Sequence, residues 1–138
     1  MTTTTKRGKI LYVEDDQSVR WGLARVLTMA DWDVIACDSA ETALDHYAAT
    51  AFQGYDAILT DYDLGAGQTG YALVAQLRQR GCRLPVVLLT GDCPGEAVQR
   101  AFDAVLTKPA TWGEITMTLD GVILRGTRRP SHEHGLCD

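Results

Sequence analysis

The sequence predicts an α/β fold in which a five-stranded parallel sheet lies between two layers of helices. Five short apolar runs alternate with five amphipathic stretches along the 138 residues. The runs are apolar throughout instead of alternating with polar residues, which is typical of parallel strands covered on both faces. A chain of this length is expected to form one domain whose core needs no disulfide.

The first part of the chain contains the first two predicted strand–helix pairs. ILYV at 10–13 is the first apolar run, and apolar residues then recur at helical spacing over 19–30. The second run, at 34–37, is followed by Ser39, which is a suitable N-cap for a helix with an apolar stripe over 40–48.

The next elements follow the same alternation. The third run, at 57–60, precedes a helix marked by apolar residues over 73–77 and ended by Gly81. The fourth run, at 86–89, follows Pro85, which is tolerated at the first position of a strand.

The last elements are shorter or less regular. Pro94 is expected in the first turn of a short helix with apolar residues over 97–101. The fifth run, at 104–106, precedes a helix with an apolar stripe over 115–123. From Arg125 the chain is polar, which predicts a frayed tail.

The composition argues against several function classes. The formal net charge of −5 disfavours electrostatic binding to nucleic acid or to an anionic membrane. The four cysteines form no C-x-x-C pair, so a zinc ribbon and a thioredoxin motif are absent. The N-terminal residues lack the apolar segment of a signal peptide, and no apolar run is long enough to span a bilayer. We therefore expect a cytoplasmic protein with reduced thiols.

Residues 65–70 read GAGQTG, which matches the G-x-G-x-x-G pattern of dinucleotide-binding loops. Such a loop needs bare backbone N–H groups and the positive end of a helix facing the phosphates. Two carboxylates, Asp61 and Asp63, lie between the third strand and the first glycine, where they would repel phosphates. The match therefore indicates a pliable turn before the third helix.

Charged and hydroxyl side chains follow the strands at the edge where parallel strands end together. They are Glu14, Asp15, Asp16, Asp61, Asp63, Thr90 and Lys108. Converging carboxylates repel one another unless a cation lies among them, and Mg²⁺ (or Mn²⁺) suits such a set of oxygens. If a phosphoryl group were attached to Asp61, the metal, Lys108 and the Thr90 hydroxyl would meet its oxygens. The alternative is a solvated acidic rim without a ligand.

Four motifs in order carry a resemblance to the receiver domain of two-component response regulators. They are ILYVEDD at 10–16, ILTDYDL at 58–64, VVLLTGD at 86–92 and VLTKP at 105–109. The resemblance implies a flavodoxin-like (βα)5 topology with strand order 2-1-3-4-5. We expect a receiver domain over 9–125, a flexible N-terminus over 1–8 and a flexible tail over 126–138, without an output domain.

The resemblance also implies a role for each residue of the acidic edge. Asp61 resembles the phosphoryl-accepting aspartate, and Asp15 the direct Mg²⁺ ligand. Glu14 is expected to act on the metal through water, and Asp63 through its backbone carbonyl. We expect the domain to take up a phosphoryl group and release it slowly, so it is not an enzyme that turns over a separate substrate.

The remaining roles concern the phosphoryl group and the switch. Thr90 resembles the hydroxyl that moves to the phosphoryl group, and Lys108 the lysine that precedes a cis proline. The family carries an aromatic residue near this lysine, but Val105 stands at that position and is short and stiff. The segment between Thr90 and Lys108 is also shorter than usual, so the fourth helix is expected to be stubby.

The resemblance implies a sensor histidine kinase or a histidine phosphotransfer protein as the phosphoryl donor. An exposed patch on the first helix is expected to dock it: Ser18, Trp21, Gly22 and Arg25. The alternative is that Trp21 folds back on the chain terminus. Trp112 opens the last helix, and its position leaves a homodimer open.

Two other functions are left open by the residues. Asp61-Tyr62-Asp63 fits the D-x-D string of haloacid-dehalogenase-type phosphatases, but Leu64 and Gly65 follow where that family has Thr or Val. The third interpretation is a pseudo-receiver, a binding module that never accepts phosphate, which the valine at 105 keeps open.

Overall fold

The computed structural model describes residues 6–128, in which five strands and five helices alternate. The elements are β1 (Gly8–Val13), α1 (Gln17–Met29), β2 (Trp32–Cys37), α2 (Ala40–Thr50), β3 (Ala57–Asp61), α3 (Gly70–Gln79), β4 (Val86–Thr90), α4 (Glu96–Arg100), β5 (Ala104–Thr107) and α5 (Trp112–Arg128). Every strand–helix pair that the apolar pattern predicts is therefore present.

The five strands form one parallel sheet in the order β2-β1-β3-β4-β5, which confirms the expected topology. β1 lies between β2 and β3, so Leu11 faces Ile35 on one side and Ile58 on the other. Since the strands are parallel, their carboxyl ends meet at one edge of the sheet. The last residues of β3 and β4 are Asp61 and Thr90, which places both at that edge.

The core has two halves because side chains alternate between the faces of each strand. On β1, Leu11 and Val13 point to the half that is covered by α2 and α3. Ile10 and Tyr12 point to the half that is covered by α1 and α5. All four side chains are fully buried, which accounts for the continuously apolar strand.

The fourth helix is short, as expected, but it begins later than the sequence predicts. Gly95 is the N-cap of α4 and is extended (φ −64°, ψ 168°), so the helix cannot start before Glu96. Pro94 therefore precedes the helix, and its expected place in the first turn is wrong. The helix has no buried residue and no side-chain cap.

The ends of the domain differ slightly from the expected limits of 9 and 125. β1 begins at Gly8, and α5 continues to Arg128. The stretches 1–5 and 129–138 lie outside the described residues, so the expected flexible ends stay predictions there. Among the described residues, no helix is long and apolar enough to cross a membrane.

Replacing Ser39 should destabilise the domain through loss of a helix cap. The Ser39 Oγ accepts a hydrogen bond from the Thr42 N–H at the start of α2, at 3.0 Å. We expect Ser39→Ala to lower the free energy of unfolding by about 1 kcal/mol, measured by urea denaturation. Ser39→Asn can still cap the helix and is the control. Equal losses in the two variants would contradict the capping role.

Candidate functional site

Three carboxylates meet at the carboxyl edge of the sheet within the described residues. Glu14 and Asp15 follow β1, and Asp61 ends β3. One oxygen from each lies within 4.8 Å of the others. Glu14 is 3% exposed and Asp61 5% exposed, whereas Asp15 is open to solvent. The adjacency of β1 and β3 brings the carboxylates together although about 45 residues separate them along the chain.

Glu14 is held in an unfavourable environment for a charged group. Its Oε2 accepts a hydrogen bond from the Asp16 N–H at 3.1 Å, but its buried Oε1 has no hydrogen-bond partner. Burial raises the pKa of Glu14, and the charge of Asp61 raises it further, although the hydrogen bond from Asp16 acts in the opposite direction. A cation near these oxygens would relieve both effects.

Lys108 supplies the positive charge that faces Asp61. Its Nζ forms an ion pair with the Asp61 Oδ1. Its backbone N–H donates to the Thr90 carbonyl at 2.8 Å, which fixes the residue beside the end of β4. The Lys108–Pro109 bond is cis, as the resemblance to receiver domains implied.

The Thr90 hydroxyl is buried at the edge of the site and bonded to its own loop. It donates to the Asp92 carbonyl at 3.0 Å and accepts from the Asp92 N–H at 3.3 Å. Val105 lies one strand away, opposite Leu88, and is partly buried against the core half under α3. Their expected roles in switching stay predictions.

Asp16 differs from the other acidic residues that follow β1. Its carboxylate is the N-cap of α1 and accepts a hydrogen bond from the Val19 N–H at 3.0 Å. The group of carboxylates that converges is therefore Glu14, Asp15 and Asp61, without Asp16. The run of three acids could not separate a helix cap from a metal ligand, because aspartate is suited to both.

Arg20 is a residue of the site that the sequence did not reveal. Its Nη1 donates to the Glu14 carbonyl at 2.9 Å and to the Asp15 carbonyl at 3.3 Å. These bonds tie the acidic loop to the first turns of α1. The only signal was an arginine off the apolar stripe of this helix, and such residues are usually solvated.

The glycines of the GAGQTG segment lie close to the acidic residues. Gly65 has a positive φ of +80°, and a Cβ there would lie 2.8 Å from the Asp15 Oδ2. A Cβ on Gly70 would lie 2.5 Å from the Asp61 carbonyl oxygen. The Asp63 carboxylate accepts a hydrogen bond from the Gly65 N–H at 3.0 Å. The expected use of the Asp63 carbonyl as a ligand stays a prediction.

The four residues of the expected docking patch lie on α1, and all have exposed positions: Ser18, Trp21, Gly22 and Arg25. The Trp21 side chain is 64% exposed. The alternative contact of Trp21 with the chain terminus involves residues outside the described range. The structure thus places the patch beside the acidic loop but does not test what it binds.

The family model for the response regulator receiver domain matches residues 10–120, which is most of the chain. The chain belongs to this family. The acidic group Glu14, Asp15 and Asp61 is typical of the magnesium site of receiver domains. The expectation drawn from the four motifs is confirmed.

Relatives of this receiver domain are regulators and sensor proteins of bacteria. It is 36% identical over 109 residues to the DNA-binding transcriptional regulator NtrC of Salmonella typhimurium, which covers 75% of this chain and 22% of that protein. It is 33% identical to the sensory/regulatory protein RpfC of Xanthomonas campestris, over 80% of this chain and 16% of that one. The chain thus spans about a fifth of these relatives.

A solved structure shows the same fold. The CheY-like receiver domain from Methylobacillus flagellatus superposes with a TM-score of 0.72 at 28% identity. The superposition covers 83% of this chain and 98% of that one. The receiver fold therefore accounts for nearly all of the described residues.

Gly65→Ala should weaken binding of Mg²⁺ to the receiver domain, because the added Cβ would displace the Asp15 carboxylate. We expect the affinity to fall by about tenfold, measured by isothermal titration calorimetry. Gly67→Ala is the matched control, since Gly67 has nearly the same φ of +78° but open space around its Cβ position. Both variants carry the backbone strain of a positive φ. Equal Mg²⁺ affinities would show that Gly65 does not position Asp15.

Proposed function

We propose that this receiver domain accepts a phosphoryl group on Asp61 from a phosphohistidine, in a reaction that requires Mg²⁺ or Mn²⁺. The observation that carries the proposal is the environment of Asp61. Its carboxylate is buried at the end of β3, between two further carboxylates and one lysine. A structural aspartate would need only the lysine, and the additional acids are costly without a cation.

The residues at the site fit a divalent metal ion. The Glu14 Oε1 is buried without a hydrogen-bond partner, and the oxygens of Glu14, Asp15 and Asp61 are close together. Asp15 would bind the ion directly, Glu14 through water, and Asp61 and the Asp63 carbonyl would complete the set. The ion would neutralise charge on the transferred phosphoryl group.

The transfer itself requires little of the protein beyond placement. An Asp61 oxygen attacks phosphorus, an O–P bond forms and the P–N bond to the donor histidine breaks. The electron pair of that bond stays on the imidazole nitrogen. Lys108 already contacts the Asp61 carboxylate and would follow the charge to a phosphoryl oxygen.

The switch that follows would begin at Thr90. Its hydroxyl is bonded to Asp92 and would exchange this partner for the phosphoryl group. Val105 has no ring to rotate into the space that Thr90 vacates. We infer that the change spreads through the short α4 and its loops instead of through an aromatic side chain.

Phosphorylation can be tested with a small-molecule donor. Acetyl phosphate with Mg²⁺ should add about 80 Da to the intact chain, and EDTA should prevent this gain. Asp61→Asn should abolish it, whereas Asp45→Asn, the control on an exposed carboxylate of α2 outside the site, should retain it. A wild-type spectrum without the increment would instead support the pseudo-receiver, and sustained turnover of p-nitrophenyl phosphate would support a phosphatase.

Transfer from a protein donor should depend on the docking patch. Trp21→Ala removes a large exposed ring beside the acidic loop, so we expect phosphotransfer from a histidine kinase or phosphotransfer protein to slow about tenfold or more. Phosphorylation by acetyl phosphate should persist. Met29→Ala, at the far end of α1 and 75% exposed, is the control. Equal rates for both variants would remove Trp21 from the interface.

A homodimer and the lack of nucleic-acid binding stay predictions.

A further inference from the structure

Arg20 binds three consecutive carbonyl groups between β1 and α1. Its side-chain Nη1 donates to the Glu14 carbonyl at 2.9 Å and to the Asp15 carbonyl at 3.3 Å. Its backbone N–H donates to the Asp16 carbonyl at 2.8 Å. The side chain of a helical residue extends over the preceding turn, so a residue in the first turns of α1 can reach back over the start of its own helix. One residue therefore binds all three carbonyls of the acidic loop.

The side-chain bonds of Arg20 fix the backbone on both sides of the Asp15 Cα. The Glu14 carbonyl belongs to the peptide unit before Asp15, and the Asp15 carbonyl belongs to the unit after it. The orientation of these two planar units sets the direction in which the Asp15 side chain leaves the backbone. The Asp15 carboxylate itself forms no hydrogen bond or ion pair with any of residues 6–128. Its placement beside Glu14 and Asp61 thus depends on the backbone that Arg20 binds.

The backbone of Glu14 is held in a similar way. Its N–H donates to the Cys37 carbonyl at the end of β2, at 3.0 Å, while its own carbonyl accepts from Arg20. β2 therefore fixes the peptide unit before Glu14, and Arg20 fixes the unit after it. Two of the three converging carboxylates thus extend from a backbone that this arginine binds.

The charge of Arg20 is not used to neutralise the carboxylates. Within residues 6–128 its guanidinium forms no ion pair, whereas the Lys108 Nζ pairs with Asp61. A positive charge close to a cation site opposes the binding of the cation. The two effects of Arg20 on a bound metal ion therefore have opposite signs: placement of the carboxylates strengthens binding, and repulsion by the guanidinium weakens it.

We propose that Arg20 is a positioning residue for the divalent metal ion: its side-chain bonds hold Glu14 and Asp15 in the geometry that binds the ion, and this effect outweighs the repulsion from its charge. The role rests on the proposed Mg²⁺ site and adds a residue outside the acidic group that sets its affinity. Arginine suits the role because its guanidinium presents donors in a fixed planar geometry, whereas lysine is a flexible point charge.

A Mg²⁺ titration of the whole chain without a phosphoryl donor tests this role through the sign of the effect. Arg20→Met keeps an apolar stem but removes the donors and the charge. We expect it to lower the Mg²⁺ affinity about tenfold in isothermal titration calorimetry, whereas loss of the charge alone would raise the affinity. Arg83→Met is the matched control, since Arg83 is exposed in the loop before β4, at the opposite edge of the sheet, and it should keep the wild-type affinity.

Phosphorylation kinetics separate positioning of the metal from general damage to the site. Asp61 and Lys108 are intact in Arg20→Met, so saturating Mg²⁺ should restore the wild-type rate with acetyl phosphate. The Mg²⁺ concentration that gives half of this rate should rise in proportion to the loss of affinity. Arg20→Lys keeps the charge without the planar donors and should also lose affinity. It takes the place of Arg20→Met if circular dichroism shows that the latter does not fold.

The inference is overturned if the Arg20 variants bind Mg²⁺ as tightly as the wild type or more tightly, or if Arg83→Met loses as much affinity. It is also overturned if only the free energy of unfolding in EDTA falls, because Arg20 would then be purely structural. The proposed function would survive these results, since the wild type would still bind Mg²⁺ and gain the phosphoryl group. A wild type that binds no Mg²⁺ would refute the proposed function itself, and the role of Arg20 with it.

Discussion

Repulsion between carboxylates at one edge of a parallel sheet is the constraint on which this molecule depends. The strand order places β1 next to β3, so Glu14 and Asp61 are buried close together. Lys108 offsets part of this charge from the end of β5. The surrounding loops hold the acidic residues in place, and a group of carboxylate oxygens of this kind is typical of divalent-cation sites.

The loops around the site show how that charge is held. Asp16 caps α1, and Arg20 returns from the same helix to bind the carbonyls of the acidic loop. On the opposite side, Gly65 and Gly70 leave room for the Asp15 carboxylate and for the backbone of Asp61. The helix cap at Asp16, the hydrogen bonds of Arg20 and the absence of a Cβ at two glycines therefore position the acidic residues.

The strands, the helices and most site residues could be predicted because they depend on local patterns. Apolar runs mark buried strands, and the residues after each run must reach the same edge when the strands are parallel. Contacts between distant segments left no such pattern. The approach of Gly65 to Asp15 and the bonds of Arg20 both depend on three-dimensional packing. The position of Pro94 could not be predicted, because proline suits both the first turn of a helix and the loop before it.

The edge strand β5 and the neighbouring helix α4 make few interactions that bury side chains. β5 pairs only with β4 and none of its residues is fully buried, and α4 is five residues long without a buried side chain. Segments with so little buried surface open locally at a fraction of the cost of global unfolding. A modest difference in interaction energy between two conformations of this edge can therefore change their populations, while the central strands remain intact.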